Sequence, residues 1–349
     1  MGAFTLDQLN NIAAAALDYN IKGKALDQIV QEKPLLKALK ETQKTFPGGK
    51  EFITGPVKGT HTSSVQGFTN DDTVTYSNPT NLKRWQYKWY ELHCGISVPF
   101  TELKADGISV TDSAIGSKTS EHSSRDLTAL TGIFEDKIDD MNIGWAESFN
   151  LTCWKDGIQD SKVFPGILSL ITATTTTGTT GSIDRAANSW WRNRTSLAVA
   201  SDSTTWANQP LTRVLQQEVR QLRRYMGGKP THVFAGSDLL DALEMELRAN
   251  GTFTQDGWAK SKKIDMSVSD LAFKGLDINY DPTLDDLGYA KYAFFLDLKN
   301  LQLMPMEGED MKQHNPARPE DKYVLYRAMT WTGGLVAKML RSSGMYSIA

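Results

Sequence analysis

The first apolar residues of the chain recur at helical spacing. Leu6, Leu9, Ile12, Ala13, Ala16 and Leu17 share one face behind Thr5, which can cap the segment. Gly23 interrupts the pattern. Leu26, Ile29, Val30, Leu35, Leu36 and Leu39 then continue the stripe, with Pro34 as a break or a helix start. Residues 1–45 therefore read as a helical arm whose apolar face has no nearby partner. The period changes over 46–88, a long, polar, Gly-rich stretch. The short alternating runs Glu51-Phe52-Ile53-Thr54 and Thr73-Val74-Thr75-Tyr76, separated by Gly and Asn/Asp turn signals, predict a long two-stranded hairpin. A lone hairpin is marginal in water, and this one has too few apolar residues for a core of its own. It needs a partner, and a second copy of the chain is the best candidate.

The return limb runs into residues 85–99, where large aromatic and apolar residues alternate with polar ones as in a half-buried strand. Re-entry into the globular body is placed near Trp89. From Ser123 or Ser124, Leu127, Leu130, Phe134, Ile138, Met141, Trp145 and Phe149 recur every three or four residues. A helix of about 26 residues there would be about 39 Å long, a spine. After Phe164-Pro165-Gly166, the threonine-rich run 172–181 reads as a mobile loop. A mixed region follows, with a helix over 211–226, a strand over 231–234 and a helix capped by Ser237 and ended near Gly251. Further strands are expected at 276–280, 289–296 and 301–304. Two last strand-like runs, 323–330 and 335–340, flank Gly333-Gly334.

Composition removes several function classes. The 38 basic and 41 acidic residues leave a net charge of -3, which gives no electrostatic case for a dedicated nucleic-acid binder. The two cysteines, Cys94 and Cys153, suggest neither a disulfide framework nor a zinc site. The N-terminus lacks a basic secretory signal, and no apolar run approaches the ~20 residues that cross a bilayer.

Candidate chemistry is sparse. His61, His93, His122, His232 and His314 show no metal-binding spacing. His232 reads as a buried, hydrogen-bonded histidine. Ser237, in Ala235-Gly236-Ser237-Asp238, resembles a strand-turn-helix nucleophile only in outline, and its cap role accounts for it. The acidic run 281–288 is half of a calcium loop: Thr283 stands at a ligand position, Asp286 replaces the glycine, and no bidentate glutamate follows. A capped turn is the reading there. Arg213, Arg220, Arg223, Arg224 and Lys229 read as a solvated basic helix face. Glu135, Asp136, Asp139 and Asp140 cluster on the spine helix, and the expectation is that this acidic face meets basic residues of a neighbouring segment or subunit. No catalytic, cofactor or metal site is expected, and the chain is not read as an enzyme.

The order of parts — arm, polar hairpin, strand, spine helix, α/β region, returning strands — resembles the major capsid proteins of tailed bacteriophages, with the Hong Kong 97-type α+β fold. Local text is also similar to that of one phage group: Gly227-Gly228-Lys229-Pro230-Thr231-His232-Val233-Phe234, the run 281–288, Pro305-Met306-Glu307-Gly308-Glu309-Asp310-Met311 and Gly344-Met345-Tyr346-Ser347-Ile348-Ala349.

The resemblance implies an arm over 1–45, an extended E-loop over 46–88 lying on the next subunit, and a peripheral P-domain over 89–164 with the spine helix. It implies an axial A-domain over 165–319, and C-terminal strands, 320–349, returning to the P-domain/A-domain body. The implied partners are further copies of the chain in hexamers and pentamers, a portal protein and a separate scaffold protein, since the arm starts close to Met1. A decoration protein is left open, contact with packaged DNA is non-specific, and no membrane is involved. The implied location is the virion, with assembly in the host cytoplasm. Subunit-interface candidates are Leu26, Ile29, Leu35, Leu36, Leu39, Lys50, Lys58, Asp136 and Asp139. Some family members join an E-loop lysine covalently to an asparagine, but Lys50 and Lys58 alone do not specify that bond. The rival readings are an encapsulin-like compartment shell, which shares the fold, and a hydrolase with an atypical site near Ser237.

Overall fold

A computed structural model describes residues 31–61, 63–76, 78, 81–99, 101, 124–226, 228–249, 272–273, 275–314 and 324–349, with the backbone alone at 98, 124–136, 206, 248, 272–273 and 324–325. The chain divides into two compact units, one of residues 1–31, 91–148 and 308–331, the other of 32–90, 149–307 and 332–349.

The second unit begins with helix α1 (Pro34–Thr42), which has proline in its first turn, where a missing N–H costs nothing. Leu35, Leu36, Ala38 and Leu39 are buried while Lys37, Lys40 and Glu41 are exposed. A two-stranded hairpin follows, β1 (Phe52–Lys58) and β2 (Leu82–Lys88); the next strand, β3 (Tyr90–Pro99), belongs from residue 91 onward to the first unit. The expected spine is α2 (Ser124–Trp154), 31 residues long. Met141, Trp145, Phe149 and Cys153, four residues apart, are all buried, so one stripe of the helix faces protein along this length.

The body of the second unit is a six-stranded mixed sheet of order β6-β14-β10-β7-β9-β8. Its strands are β6 (Arg194–Val199), β7 (His232–Ala235), β8 (Ala272–Phe273), β9 (Leu276–Tyr280), β10 (Tyr292–Leu296) and β14 (Gly344–Ile348). Strand alternation sends Val233, Ala235, Ala293, Phe295, Tyr346 and Ile348 to one core. There they meet Leu211, Leu215, Val219 and Leu222 of one helix (Pro210–Leu222), and Leu239, Leu240 and Leu243 of another (Ser237–Ala249). The intervening Phe234 and Phe294 instead meet Trp154, with ring centroids 6.1 and 5.2 Å apart. Both faces of the central strands are therefore covered, which is why they read as near-continuous apolar runs.

The helix starts are capped from a distance. Ser237 was expected to cap its own helix; its N–H instead donates to Asp285 Oδ1 at 3.0 Å. The helix at Pro210 follows Gln209 in the left-handed region (φ 49°) with no cap from that side chain. The buried Glu246 supplies the acceptor, taking the Thr212 N–H at 3.1 Å. Burial raises the pKa of this carboxyl, against the pull of the helix-start N–H groups and Arg213. The acidic run at 281–288 is a capped turn. Asp281 Oδ1 accepts the Thr283 N–H at 3.0 Å, and Oδ2 accepts Trp154 Nε1–H at 2.9 Å.

Three expectations change. The two C-terminal runs form one strand, β13 (Val324–Ala337), passing through Gly333-Gly334. A Cβ at Gly334 would stand 3.1 Å from the Lys88 carbonyl oxygen, so the glycine allows a close backbone approach rather than a turn. Gly334 pairs with Met304 of β11 (Leu301–Pro305). In the other unit, β12 (Lys312–His314) pairs with residues 328–330 of β13. The tail 344–348 becomes an interior strand, parallel to β6 and antiparallel to β10. The threonine-rich run is pinned rather than loose. Thr179–Thr180 pairs with Ile183–Asp184. The fully buried Arg185 donates to Thr180 Oγ1 (2.9 Å), Asn193 Oδ1 (3.0 Å), the Leu170 carbonyl (2.6 Å) and Thr172 Oγ1. Its neighbours satisfy the guanidinium with neutral oxygens, and burial lowers its pKa.

Candidate assembly surfaces

The hairpin is real and its outgoing limb includes the expected run from Phe52 to Thr54, but its return limb is not the one the sequence suggested. Phe52 pairs with Lys88 and Lys58 with Leu82 in continuous antiparallel register, and Thr73–Tyr76 is outside any strand. The reason is apolar area. Trp85 and Tyr87 alternate on the return limb and are buried, whereas Thr73-Val74-Thr75-Tyr76 has no surface on which to seat itself. The Trp85 ring occupies the space beside Gly55, where a Cβ would come within 2.2 Å of it. Tyr87 donates its hydroxyl to the Ala337 carbonyl at 3.1 Å, and burial raises its pKa. Re-entry thus begins at Trp85, ahead of the expected Trp89.

Further contacts clamp the base of the hairpin to the same unit. Lys83 Nζ donates to Asn188 Oδ1 at 2.7 Å, and the Gln86 N–H donates to the Gly181 carbonyl at 3.0 Å. The Trp190 ring lies against Gly59, closing to 2.3 Å of a built Cβ. The mouth is closed by Gly59 N–H to the Asn81 carbonyl (3.2 Å) and Asn81 Nδ2–H to the Thr60 carbonyl (2.7 Å).

Beyond the mouth lies an excursion whose hydrogen bonds, among the described residues, are local. Asp72 Oδ2 accepts from Thr69 N–H (2.9 Å) and Oγ1–H (2.8 Å), and those donors lower its pKa. The Thr75 N–H reaches Gln66 Oε1 at 3.1 Å. Val65, Phe68, Val74 and Tyr76 are exposed, Val65 and Tyr76 by 103% and 92%. Four exposed large apolar side chains on one short excursion make it the strongest candidate for an assembly surface among the described residues.

The interface candidates from the sequence fall into different places. Leu26 and Ile29 lie outside the described residues. Leu35, Leu36 and Leu39 are buried by the chain itself, with α1 against β11. The segment after α1 is tied to the same strand by Lys44 N–H to the Leu303 carbonyl (3.1 Å) and Phe46 N–H to the Pro305 carbonyl (3.0 Å). Their stripe is filled internally and offers no apolar face to a neighbour. Lys50 and Lys58 are exposed near the two ends of β1. Asp139 is half-buried on α2, and the side chain of Asp136 lies outside the described residues. Val74 and Tyr76 belong to the alternating run that the sequence offered as a limb, and Val65 and Phe68 are scattered through a polar stretch without a period, so none of the four was named as an interface candidate.

The hydrolase reading finds little to work with. Ser237 starts a helix, and His232 is half-exposed rather than buried, its ring stacked at 6.2 Å on Phe234 and its Nδ1 3.0 Å from Thr231 Oγ1. Burial lowers the pKa of that histidine. Cys153 is fully buried, which raises the pKa of its thiol and keeps it from acting as a nucleophile.

No protein-family model matches the sequence, and no curated protein matches it. Solved structures do match. Against the capsid asymmetric unit of cyanophage A-1(L), the TM-score is 0.61 at 14% identity, covering 94% of this chain and 96% of that one. Against the capsid of Myoviridae phage XM1 it is 0.54 at 9% identity, with 100% of both chains covered. Against the capsid of a native GTA particle it is 0.53 at 13% identity, covering 96% of this chain and 98% of that one. The likeness runs from end to end, and the chain has the α+β fold of phage capsid subunits, the Hong Kong 97-type architecture.

Proposed function

We propose that this chain is the major shell subunit of a tailed-phage head, assembling as hexamers and pentamers around packaged DNA in the virion, with no catalytic activity. The end-to-end structural likeness to three phage capsids carries the reading. The hairpin supports it, with a base clamped to its own unit and a tip that exposes apolar surface. In this reading the six-stranded sheet is the axial A-domain, α2 the spine of the P-domain and 46–88 the E-loop. Closed symmetry repeats each modest contact around the shell. A portal and a separate scaffold protein belong to the same proposal.

Negative-stain microscopy of the purified protein, alone and with a scaffold protein, tests this. Closed icosahedral particles are expected; a single small oligomer under all conditions overturns it. Particles that carry enzyme cargo instead of DNA would transfer the reading to a cellular compartment. Denatured particles are expected to run as one band at 38.8 kDa; a ladder of multiples would establish covalent joining.

A further inference from the structure

We infer that a basic groove at the end of the helix Pro210–Leu222 binds the phosphodiester backbone of double-stranded DNA. The groove has a volume of about 720 Å³ and is lined by Arg223, Lys229 and Lys299, among others. Tyr225 forms part of its wall. Two further guanidiniums lie over that ring, Arg341 with its Cζ 3.8 Å from the centroid and Arg224 at 5.8 Å. A guanidinium stacked on an aromatic face keeps its in-plane N–H groups available to phosphate oxygens. Five cations thus gather in a chain whose net charge is -3.

One carboxylate, Asp297, lies in the lining, and it is fully buried. Its oxygens are taken up by Asn300 Nδ2–H (2.7 Å) and the Lys299 N–H (3.2 Å). Among the described residues, the exposed charges of the groove lining are all positive. Gly228 lets the backbone pack closely on this carboxylate: a Cβ there would stand 2.1 Å from Asp297 Oδ2. The sequence alone made this basic run a solvated helix face. What changes the picture is the fold, which brings Lys299 and Arg341 to the same place from distant parts of the chain. A second copy's hairpin tip is the rival occupant, but between Lys58 and Lys83 the tip carries only Asp71 and Asp72, too few to match five cations. A duplex offers a dense array of phosphates.

Use of the groove on packaged DNA rests on the shell reading, whereas the binding itself does not. The test is fluorescence anisotropy with a labelled duplex of roughly three turns and the full-length chain, between about 50 and about 200 mM salt. Sedimentation in parallel records whether particles form. Four or five phosphate contacts predict a log–log salt slope of about -4, at about 0.9 per contact. Lys229→Glu with Lys299→Glu is expected to flatten the slope by about 2 and weaken binding at least about tenfold. The control Lys37→Glu with Lys162→Glu changes net charge equally and should leave both unchanged. If circular dichroism finds the reversal pair misfolded, Lys229→Ala with Lys299→Ala gives the same slope test. An unchanged slope, or an equal loss in the control, overturns the proposal. DNA binding retained while particles are lost also overturns it and assigns the groove to contact with a second copy. Absence of particles for every variant, with the slope change intact, counts against the shell reading alone.

Discussion

Helix α1 and the hairpin tip look alike in the sequence and are opposites in the fold. Each presents apolar residues with no local partner, and each is expected to be covered by a neighbouring subunit. In the structure Leu35 and Leu39 are fully buried against the chain's own β11, whereas Val65 and Tyr76 stand almost wholly in solvent. An amphipathic stripe states that a face will be buried; it does not state by which chain. The difference lies in the connection. Two residues after α1, at Lys44, the backbone begins to run alongside β11 and ties the helix to that strand. The tip is separated from the body by the closed mouth at Gly59 and Asn81, and the bonds of the described residues beyond the mouth are local to the tip.

The largest expected effect breaks the comparison on the α1 side. Leu39→Ala should cost the isolated subunit about 2–5 kcal/mol, and Leu39→Asp more, because the site is fully buried. Urea unfolding of soluble subunits measures this. Folded, stable Leu39→Asp subunits that fail only in assembly would return α1 to the role the sequence suggested.

Next in size is the hairpin base. Gly55→Val places atoms where the Trp85 ring lies, 2.2 Å from the built Cβ. Overpacking of this kind costs about 1–3 kcal/mol, and it should also release the indole, seen as a red shift in tryptophan emission. A variant with wild-type emission and stability would mean that the base is not clamped. Tyr87→Phe is milder. It removes the hydrogen bond to the Ala337 carbonyl and leaves a buried acceptor, for a loss of about 1–2 kcal/mol by the same unfolding measurement.

Long periodic elements were legible in the sequence and context-dependent ones were not. The spine helix, the helix over 210–222 and the strands at 276–280 and 301–305 follow from local spacing alone. The return limb of the hairpin, the fused strand through Gly333-Gly334 and the interior tail strand depend on what lies opposite. Gly334 resembles a turn glycine until the Lys88 carbonyl is seen 3.1 Å from its missing Cβ. The caps show the same limit: Glu246 and Asp285 serve helices far from them in sequence. Of the interface candidates, Leu35, Leu36 and Leu39 are interior to the chain, because burial by self and burial by a neighbour leave the same mark on a sequence.

The smallest effect on the subunit is the sharpest test of the comparison. Phe68→Ser with Tyr76→Ser removes two exposed rings that stabilise nothing within the chain, so subunit stability should stay within about 0.5 kcal/mol of wild type. If the tip seats on a second copy, the same change deletes apolar contact area at every subunit junction. Each ring buries up to about 150–250 Å², and at about 25 cal/mol per Å² the loss reaches several kcal/mol per junction. Closed particles should then disappear from sedimentation profiles while the unfolding curve of the subunit stays in place. Leu39→Asp gives the reverse, a subunit that unfolds before assembly can be asked about. A double variant that still forms particles with wild-type stability would mean that the exposed rings face solvent in the shell as well, and the contact would have to be sought along β1 at Lys50 and Lys58.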